Sequence, residues 1–153
     1  MKDEFKHSFK MPFHDNLGLA VYSSGIQKCA PSHFWGPAVR DHYLIHYIVS
    51  GCGVFDDGHQ KYTLRAGDGF LFIPNHIVSY IADDTDPWEY CWVGFNGTDA
   101  QRLIIQTGLS EENPVFHYEN VEVLKGLLID IYNSTGSRYC DEAYMLSGLL
   151  KFL

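Results

Sequence analysis

The sequence is short of positive charge and of long apolar segments. Lys and Arg number 11 against 19 Asp and Glu, which gives the 153 residues a formal net charge of −8. A protein that binds nucleic acid by itself needs a basic surface to neutralise phosphates. The longest apolar run, residues 69–74, is far shorter than the about 20 residues that cross a bilayer as a helix. These two shortages exclude an autonomous DNA-binding domain and a helical membrane protein.

Sequence patterns of cysteine chemistry are also missing. The four Cys stand at positions 29, 52, 91 and 140, without a Cys-x-x-Cys pair and with a spacing that resembles no zinc site. Residues 1–6 lack the apolar core that is typical of a secretory signal peptide. We therefore expect a cytoplasmic protein whose thiols are reduced.

The usual signatures of catalysis are absent as well. The sequence has no Gly-x-Ser-x-Gly nucleophile elbow and no phosphate-binding Gly-x-x-x-x-Gly-Lys loop. Residues 67–74, a Gly-Asp turn before a strand that ends in Pro, resemble part of a cupin barrel, and metal-binding cupins use three His and a Glu. No His-x-His pair occurs, Val78 and Ser79 occupy the positions of the late His, and Asn75 replaces a cupin Gly. We expect no metal, no cofactor and no enzymatic activity; a metal-dependent cupin enzyme (an isomerase or dioxygenase) is the alternative.

Aromatic residues, by contrast, are abundant at 15% of the chain, and they suit β-strands. Residues 43–49 are rich in β-branched and aromatic side chains and predict a strand. Further short strands alternate with Gly- and Asp-rich turns at 56–58, 65–68 and 83–87. Strands at such near-regular spacing over residues 18–98 predict an antiparallel barrel or sandwich in a single domain.

The rest of the chain has helical periodicity. Residues 99–112 predict a helix that ends at Gly108, and residues 119–153 predict two amphipathic helices separated at 133–136. The apolar stripes of these two helices include Leu124, Leu127, Leu128, Ile131, Leu146, Leu149 and Leu150. Because the apolar pattern of the second helix continues up to Leu153, we expect the chain to be a fragment of a longer protein; a terminal helix that packs on its own domain is the alternative.

Two sets of side chains are candidates for ligand contact. Tyr80, Trp88, Tyr90 and Trp92 lie close together, and 88, 90 and 92 share one face of a strand. They predict either a sugar-stacking surface or the filling of a small barrel. Arg40 has a guanidinium that can bind paired hydroxyls or a carboxylate. His42 and His46 share one face of the predicted strand, where they would either contact a ligand or a metal, or pack in the core.

Several motifs occur in an order that is typical of one family. They are His33-Phe34-Trp35-Gly36-Pro37 with 40–43; 44–48 with Gly51-x-Gly53; Leu64-x-Ala66-Gly67-Asp68 through Ile73-Pro74; and 80–83 followed by Asp86-Pro87-Trp88-x-Tyr90-x-Trp92-x-x-Phe95-x-Gly97. Together they resemble the N-terminal ligand-binding domain of AraC-type transcriptional regulators, in the branch that governs the use of oligosaccharides such as raffinose and melibiose. The resemblance covers roughly residues 18–153.

This resemblance implies a mainly β fold with C-terminal helices. A cupin-like (double-stranded β-helix or jelly-roll) barrel over residues 18–98 would bind a small effector, a mono- or oligosaccharide, and an N-terminal arm over 1–17 would close over the pocket. An antiparallel helical segment over 99–153 would form a homodimer through the leucine stripes; the alternatives are helices that only pack on the barrel, and a pure dimerisation module with a filled barrel. DNA would be bound only by a C-terminal helix-turn-helix domain that is absent from this chain.

By matching position, the resemblance also assigns the pocket. It implies that Tyr80, Trp88, Tyr90 and Trp92 contact the effector. Arg40, His42 and His46 would supply the polar contacts.

Overall fold

The computed structural model describes residues 4–11, 18–136 and 138–153, and within them the chain forms ten strands and three helices. The strands are β1 (Phe5–Lys10), β2 (Ala20–Lys28), β3 (Phe34–Ala38), β4 (Tyr43–Ser50), β5 (Cys52–Asp56), β6 (Lys61–Arg65), β7 (Asp68–Phe72), β8 (Val78–Ala82), β9 (Glu89–Asn96) and β10 (Val115–His117). The helices are α1 (Ala100–Thr107), α2 (Val121–Asn133) and α3 (Tyr139–Phe152). No helix in these ranges is long and apolar enough to cross a membrane.

The strands form two antiparallel sheets. One sheet has the order β1-β2-β9-β4-β7-β10 and the other has the order β3-β8-β5-β6. An aromatic-rich core formed by side chains from both sheets fills the interior. The predicted cupin-like, mainly β fold with C-terminal helices is confirmed.

Strands β4 and β9 are buried on both faces, which explains their nearly continuous apolar sequence. Leu44 and His46 point into the barrel interior, whereas Ile45 and Tyr47 point to the opposite face, where the helices pack. This alternation follows from the two-residue repeat of a strand. As a result, every second side chain of β4 and β9 points into the barrel interior.

The helices cover the outer face of the six-stranded sheet. Leu124, Leu128, Ile131 and Leu149 are buried there in the same core as Ile45. Burial in their own chain occupies these four side chains, which corrects their assignment to a dimer surface. Of the other predicted dimer residues, Leu127 and Leu146 are half-buried and Leu150 is exposed.

Three strands differ from the sequence-based expectation. The strand signals of the sequence do not include β3, which contains Gly36 and Pro37, or the short β10. Strand β2 runs on to Lys28 through Ser23-Ser24-Gly25, which have low strand propensity, because β1 and β9 pair with it on both sides. Gly25 lies opposite Trp92, and a Cβ at this position would come within 2.6 Å of Cζ2 of that ring.

The predicted arm is described only in part. Residues 1–3 and 12–17 lie outside the described residues. Residues 5–10 form β1, which pairs antiparallel with β2 from Phe5 opposite Lys28 to Lys10 opposite Ser23. This part of the arm is therefore an edge strand of the barrel.

Candidate functional site: the barrel cavity beside strand β1

A cavity of about 190 Å³ lies inside the barrel, beside β1. Its described lining combines aromatic rings with long cationic side chains. The lining residues are Lys6, Ser8, Phe9, Lys10, Ser23, Gln27, His33, Trp35, Arg40, Leu44, His46, Tyr80, Tyr90 and Trp92. They come from β1, β2, β3, β4, β8 and β9 and from the segments next to β3.

Aromatic rings form one wall of the cavity. Trp35 stacks on Tyr80 with ring centroids 6.1 Å apart, and Tyr90 meets Trp92 edge to face at 5.9 Å. The Tyr80 and Tyr90 hydroxyls are 2.7 Å apart, and the Tyr90 hydroxyl donates to Oε1 of Gln27 at 3.2 Å. Burial raises the pKa of Tyr80 to about 12 and raises that of Tyr90 further. Both phenols are therefore neutral hydrogen-bonding groups at physiological pH.

His46 lies in the floor of the cavity and is 3% exposed. Its ring stacks on Phe70 with centroids 4.7 Å apart, and Tyr90 packs edge-on at 4.7 Å. Burial, and then the charge of Arg40, lower the pKa of His46 to about 3. The imidazole is therefore neutral, and its Nδ1 is buried without a hydrogen-bond partner among the described residues.

Cationic side chains flank the aromatic wall. The Arg40 guanidinium lies over the Trp35 ring, with Cζ 4.6 Å from the centroid. From β1, Nζ of Lys6 lies 5.8 Å from the centroid of Trp92, and Lys10 also lines the cavity. Nε of Arg40 is buried and has no hydrogen-bond partner in the described part of the chain.

Five of the seven predicted pocket residues lie together in this cavity: Arg40, His46, Tyr80, Tyr90 and Trp92. The other two do not line it, which corrects their assignment. Trp88 is fully buried beneath the wall, with its ring centroid 5.6 Å from Phe70 and 5.7 Å from Tyr80. His42 precedes β4, and its Nδ1 is 2.7 Å from Oδ1 of Asp41.

The resemblance implies an arm over the pocket, but it does not identify which residues of β1 line the cavity. Lys6, Ser8 and Lys10 are spaced two apart, which places them on one face of a strand. That alternation is the signal that could have identified them. Trp35, Gln27 and Ser23 carry no comparable local signal, because the strand pairing alone brings them to the cavity.

Two further observations bear on what the molecule can hold. Within residues 4–11, 18–136 and 138–153, no three His, Cys, Asp or Glu side chains form a group that could hold a metal ion. A second cavity, of about 440 Å³, lies outside the barrel and is lined by α1, β10 and the end of α3, with Phe116 and Phe152 among its lining residues.

The chain is similar to regulators of sugar operons. It is 37% identical over 95 residues to the Msm operon regulatory protein of Streptococcus mutans, covering 62% of this chain and 34% of that protein. It is 37% identical over 98 residues to the raffinose operon transcriptional regulatory protein RafR of Pediococcus pentosaceus, covering 63% and 34%. The lactose operon transcription activator of Staphylococcus xylosus is 25% identical over 99 residues, with coverages of 65% and 36%. The chain thus spans about a third of the length of the curated relatives it matches.

Other comparisons concern the fold and the family. Among solved structures, YhaK from Escherichia coli has a TM-score of 0.48 at 16% identity, covering 62% of this chain and 45% of that chain. Residues 20–145 match the model of the AraC-like ligand binding domain. Because this match spans both sheets and most of the helical segment, the chain belongs to the AraC-like ligand binding domain family.

Proposed function

We propose that this chain is the effector-sensing part of a bacterial AraC-type transcription regulator that controls carbohydrate uptake or use, and that its effector is a sugar bound in the barrel cavity. The observation that carries the proposal is a cavity of about 190 Å³ with Trp35, Tyr80 and Trp92 in its wall. The relatives' names supply the context, since they are regulators of operons that include raffinose and lactose operons.

The chemistry of the lining supports a sugar. The apolar face of a pyranose packs well on Trp and Tyr rings, while its hydroxyls need a few placed polar groups. Gln27, Ser23 and the Tyr80–Tyr90 hydroxyl pair supply such groups at the same surface.

The position of β1 supports a switching mechanism. We propose that residues 1–17 act as an arm, that 18–98 form the sensing barrel, and that 99–153 carry the dimer contacts. Since Lys6, Ser8 and Lys10 line the cavity, a ligand contacts the arm and the barrel together. A ligand switches the protein only if it binds one arm arrangement better than the other. The full regulator would work in the cytoplasm and bind DNA through a domain outside this chain.

We further propose that the homodimer uses the outward face of the last two helices. Val123, Tyr139, Tyr144 and Leu150 are large apolar or aromatic residues that are exposed on α2 and α3. The four buried leucine and isoleucine residues of the predicted stripe would support this face from below.

The direct test is a titration followed by tryptophan fluorescence, since Trp35 and Trp92 line the cavity. The panel comprises raffinose, lactose, galactose and glucose, with their commercially available phosphates. Trp35→Ala should weaken binding by about tenfold or more, because the stacking surface is lost. Phe34→Ala is the matched control, since Phe34 is the next residue of β3 and is 69% exposed. Failure of every sugar to bind, or equal loss in both variants, would contradict the proposal.

The rival function, a metal-dependent cupin enzyme, makes a different prediction. Elemental analysis of the purified protein should then find stoichiometric metal. For an effector-sensing domain we expect none above background, and sugar binding that is unchanged by a chelator.

A further inference from the structure

We propose that the effector is an anionic sugar, a sugar phosphate or a sugar acid, whose charged group binds between Arg40 and the lysines of β1. This inference rests on the proposed function, because it names the class of ligand for the same cavity. A neutral sugar is the alternative that the test below separates from it.

The charge of the lining is opposite to that of the molecule. The chain carries 19 acidic and 11 basic residues, yet no Asp or Glu occurs among the described residues that line the cavity. Lys6, Lys10 and Arg40 all line it. Cations gathered in a concave, partly apolar site of an acidic protein concentrate anions there.

The charged groups of the lining are all hydrogen-bond donors. The two ammonium groups and the guanidinium offer donors and no acceptors. The amide oxygen of Gln27 is already used by the Tyr90 hydroxyl. The hydroxyl groups of Ser8, Ser23, Tyr80 and Tyr90 can bind the hydroxyls of any sugar, so the three cationic groups are the part of the lining that favours an anionic ligand over a neutral one. A phosphate or carboxylate only accepts, and it therefore matches the lining better.

Arg40 is prepared for such a partner. No ion pair formed by the described residues includes Arg40, Lys6 or Lys10. The guanidinium lies over the Trp35 ring, and its Nε is buried without a hydrogen-bond partner among the described residues. A planar guanidinium donates two parallel hydrogen bonds to a phosphate or a carboxylate.

The volume and the lining of the cavity limit the size of the ligand and the position of its sugar ring. At about 190 Å³ it is smaller than the about 300–1,000 Å³ of sites that hold drug-sized molecules, so it suits a single sugar ring. The ring would lie against Trp92 and the anionic group would reach Arg40. The ammonium groups of Lys6 and Lys10 would then attract the anionic group and hold β1 against the ligand.

The test compares galactose, glucose and mannose with the 6-phosphate and the uronic acid of each, by calorimetry at up to about 10 mM ligand. We expect at least one anionic member to bind about tenfold or more tightly than its neutral parent, with an affinity that falls as salt rises. The phosphate and uronate arms show which anionic group is preferred. Arg40→Gln should weaken that binding by about 10- to 100-fold. Arg65→Gln, the same change at an exposed position of β6 outside the cavity, should leave it unchanged.

The possible failures are distinguishable. If a neutral sugar binds as tightly as its anionic forms, this inference is overturned and the proposed function stands. If no phosphate or uronate binds but a neutral sugar does, the result is the same. If no member of this panel binds but raffinose or lactose binds in the fluorescence titration, this inference is overturned; if those sugars fail as well, the sugar-sensing function itself is contradicted. Thermal melting of both variants separates a lost contact from a lost fold, and Arg40→Lys, which keeps the charge, is the second variant if Arg40→Gln fails to fold.

Discussion

At the scale of single residues, Trp88 and Trp92 face the same side of the barrel but have different surroundings. Trp92 is 8% exposed and borders the cavity, with Nζ of Lys6 above its ring. Trp88 is fully buried, and the Phe70 and Tyr80 rings pack around it. Two positions that are four apart on the same strand face are therefore a core position and a cavity position.

Trp88→Ala should lower the free energy of unfolding by about 3–5 kcal/mol, the usual cost of removing a large buried aromatic side chain. Urea unfolding followed by circular dichroism measures this change. Phe34→Ala, at an exposed position, should change stability by less than about 0.5 kcal/mol. A loss below about 1 kcal/mol for Trp88→Ala would contradict its assignment to the core.

His46 makes a pH prediction. Burial and the Arg40 charge lower its folded-state pKa to about 3, whereas an unfolded histidine titrates near 6.5. Between these two pKa values the imidazole of residue 46 is protonated in the unfolded chain and neutral in the folded chain. The contribution of the neutral His46 to the free energy of unfolding is therefore complete above pH 6.5 and is lost as the pH falls. The slope attributable to His46 approaches about 1.4 kcal/mol per pH unit within this window. Urea midpoints of the wild type and His46→Gln over pH 4–7 should diverge accordingly, and parallel curves would refute the assignment.

At the scale of elements, β1 adds to the site more than it adds to the core. It is an edge strand, and all of its residues are exposed except the half-buried Phe9, whereas Met11 just after it is buried. Its alternate side chains nevertheless line the cavity. Removing β1 should therefore reduce binding far more than folding.

Deletion of residues 1–10 should weaken effector binding by about tenfold or more while leaving the barrel folded, because few buried apolar contacts are lost. Calorimetry and a thermal melt measure the two effects on the same samples. Unchanged affinity would show that β1 is no part of the site. A collapse of the melting transition would instead assign β1 to the core.

Helices α2 and α3 each have a buried and an exposed face, which gives a second prediction at this scale. Leu128→Asp places a carboxylate at a position that is 1% exposed, so the free energy of unfolding should fall by several kcal/mol. Leu150→Asp, at a position that is 53% exposed, should leave the fold intact and convert the proposed dimer to monomer in sedimentation. A wild-type chain that sediments as monomer at tens of micromolar would contradict the dimer.

At the scale of the whole molecule, local sequence signals predicted the elements better than their arrangement. Strong strand and helix patterns predicted a strand at residues 43–49 and a helix that ends at Gly108, and the structure has β4 over Tyr43–Ser50 and α1 over Ala100–Thr107. The turn at 56–58 follows from Asp-Gly chemistry, and the carboxylate of Asp57 accepts from the backbone of His59 and Gln60. These features are decided within a few residues.

The parts that could not be predicted depend on distant strands. Strand β2 includes Ser23-Ser24-Gly25 only because its neighbours pair with it, and β10 is three residues long. Periodicity could not distinguish the core residue Trp88 from the cavity residue Trp92, since both lie on the same face of the strand. Which ring borders the cavity depends on how the two sheets pack against each other. Of the cationic side chains only Arg40 was predicted, because Lys6 and Lys10 reach the cavity through the pairing of β1 with β2.

The charge distribution is a property of the whole molecule. A net charge of −8 repels anions at long range, whereas the cavity gathers three cationic side chains. An anionic effector therefore gains its affinity from these nearby cationic groups, and because Lys6 and Lys10 are exposed, added salt screens the attraction.

The central claim is that the barrel cavity beside β1 holds a sugar effector, and a crystal structure of the chain with the tightest-binding member of the panel tests it most directly. We predict sugar density between β1 and the Trp35–Tyr80–Trp92 wall, within hydrogen-bond distance of Arg40. Density confined to the second cavity beside Phe116 and Phe152, or a barrel cavity that stays empty at saturating ligand, would contradict the account.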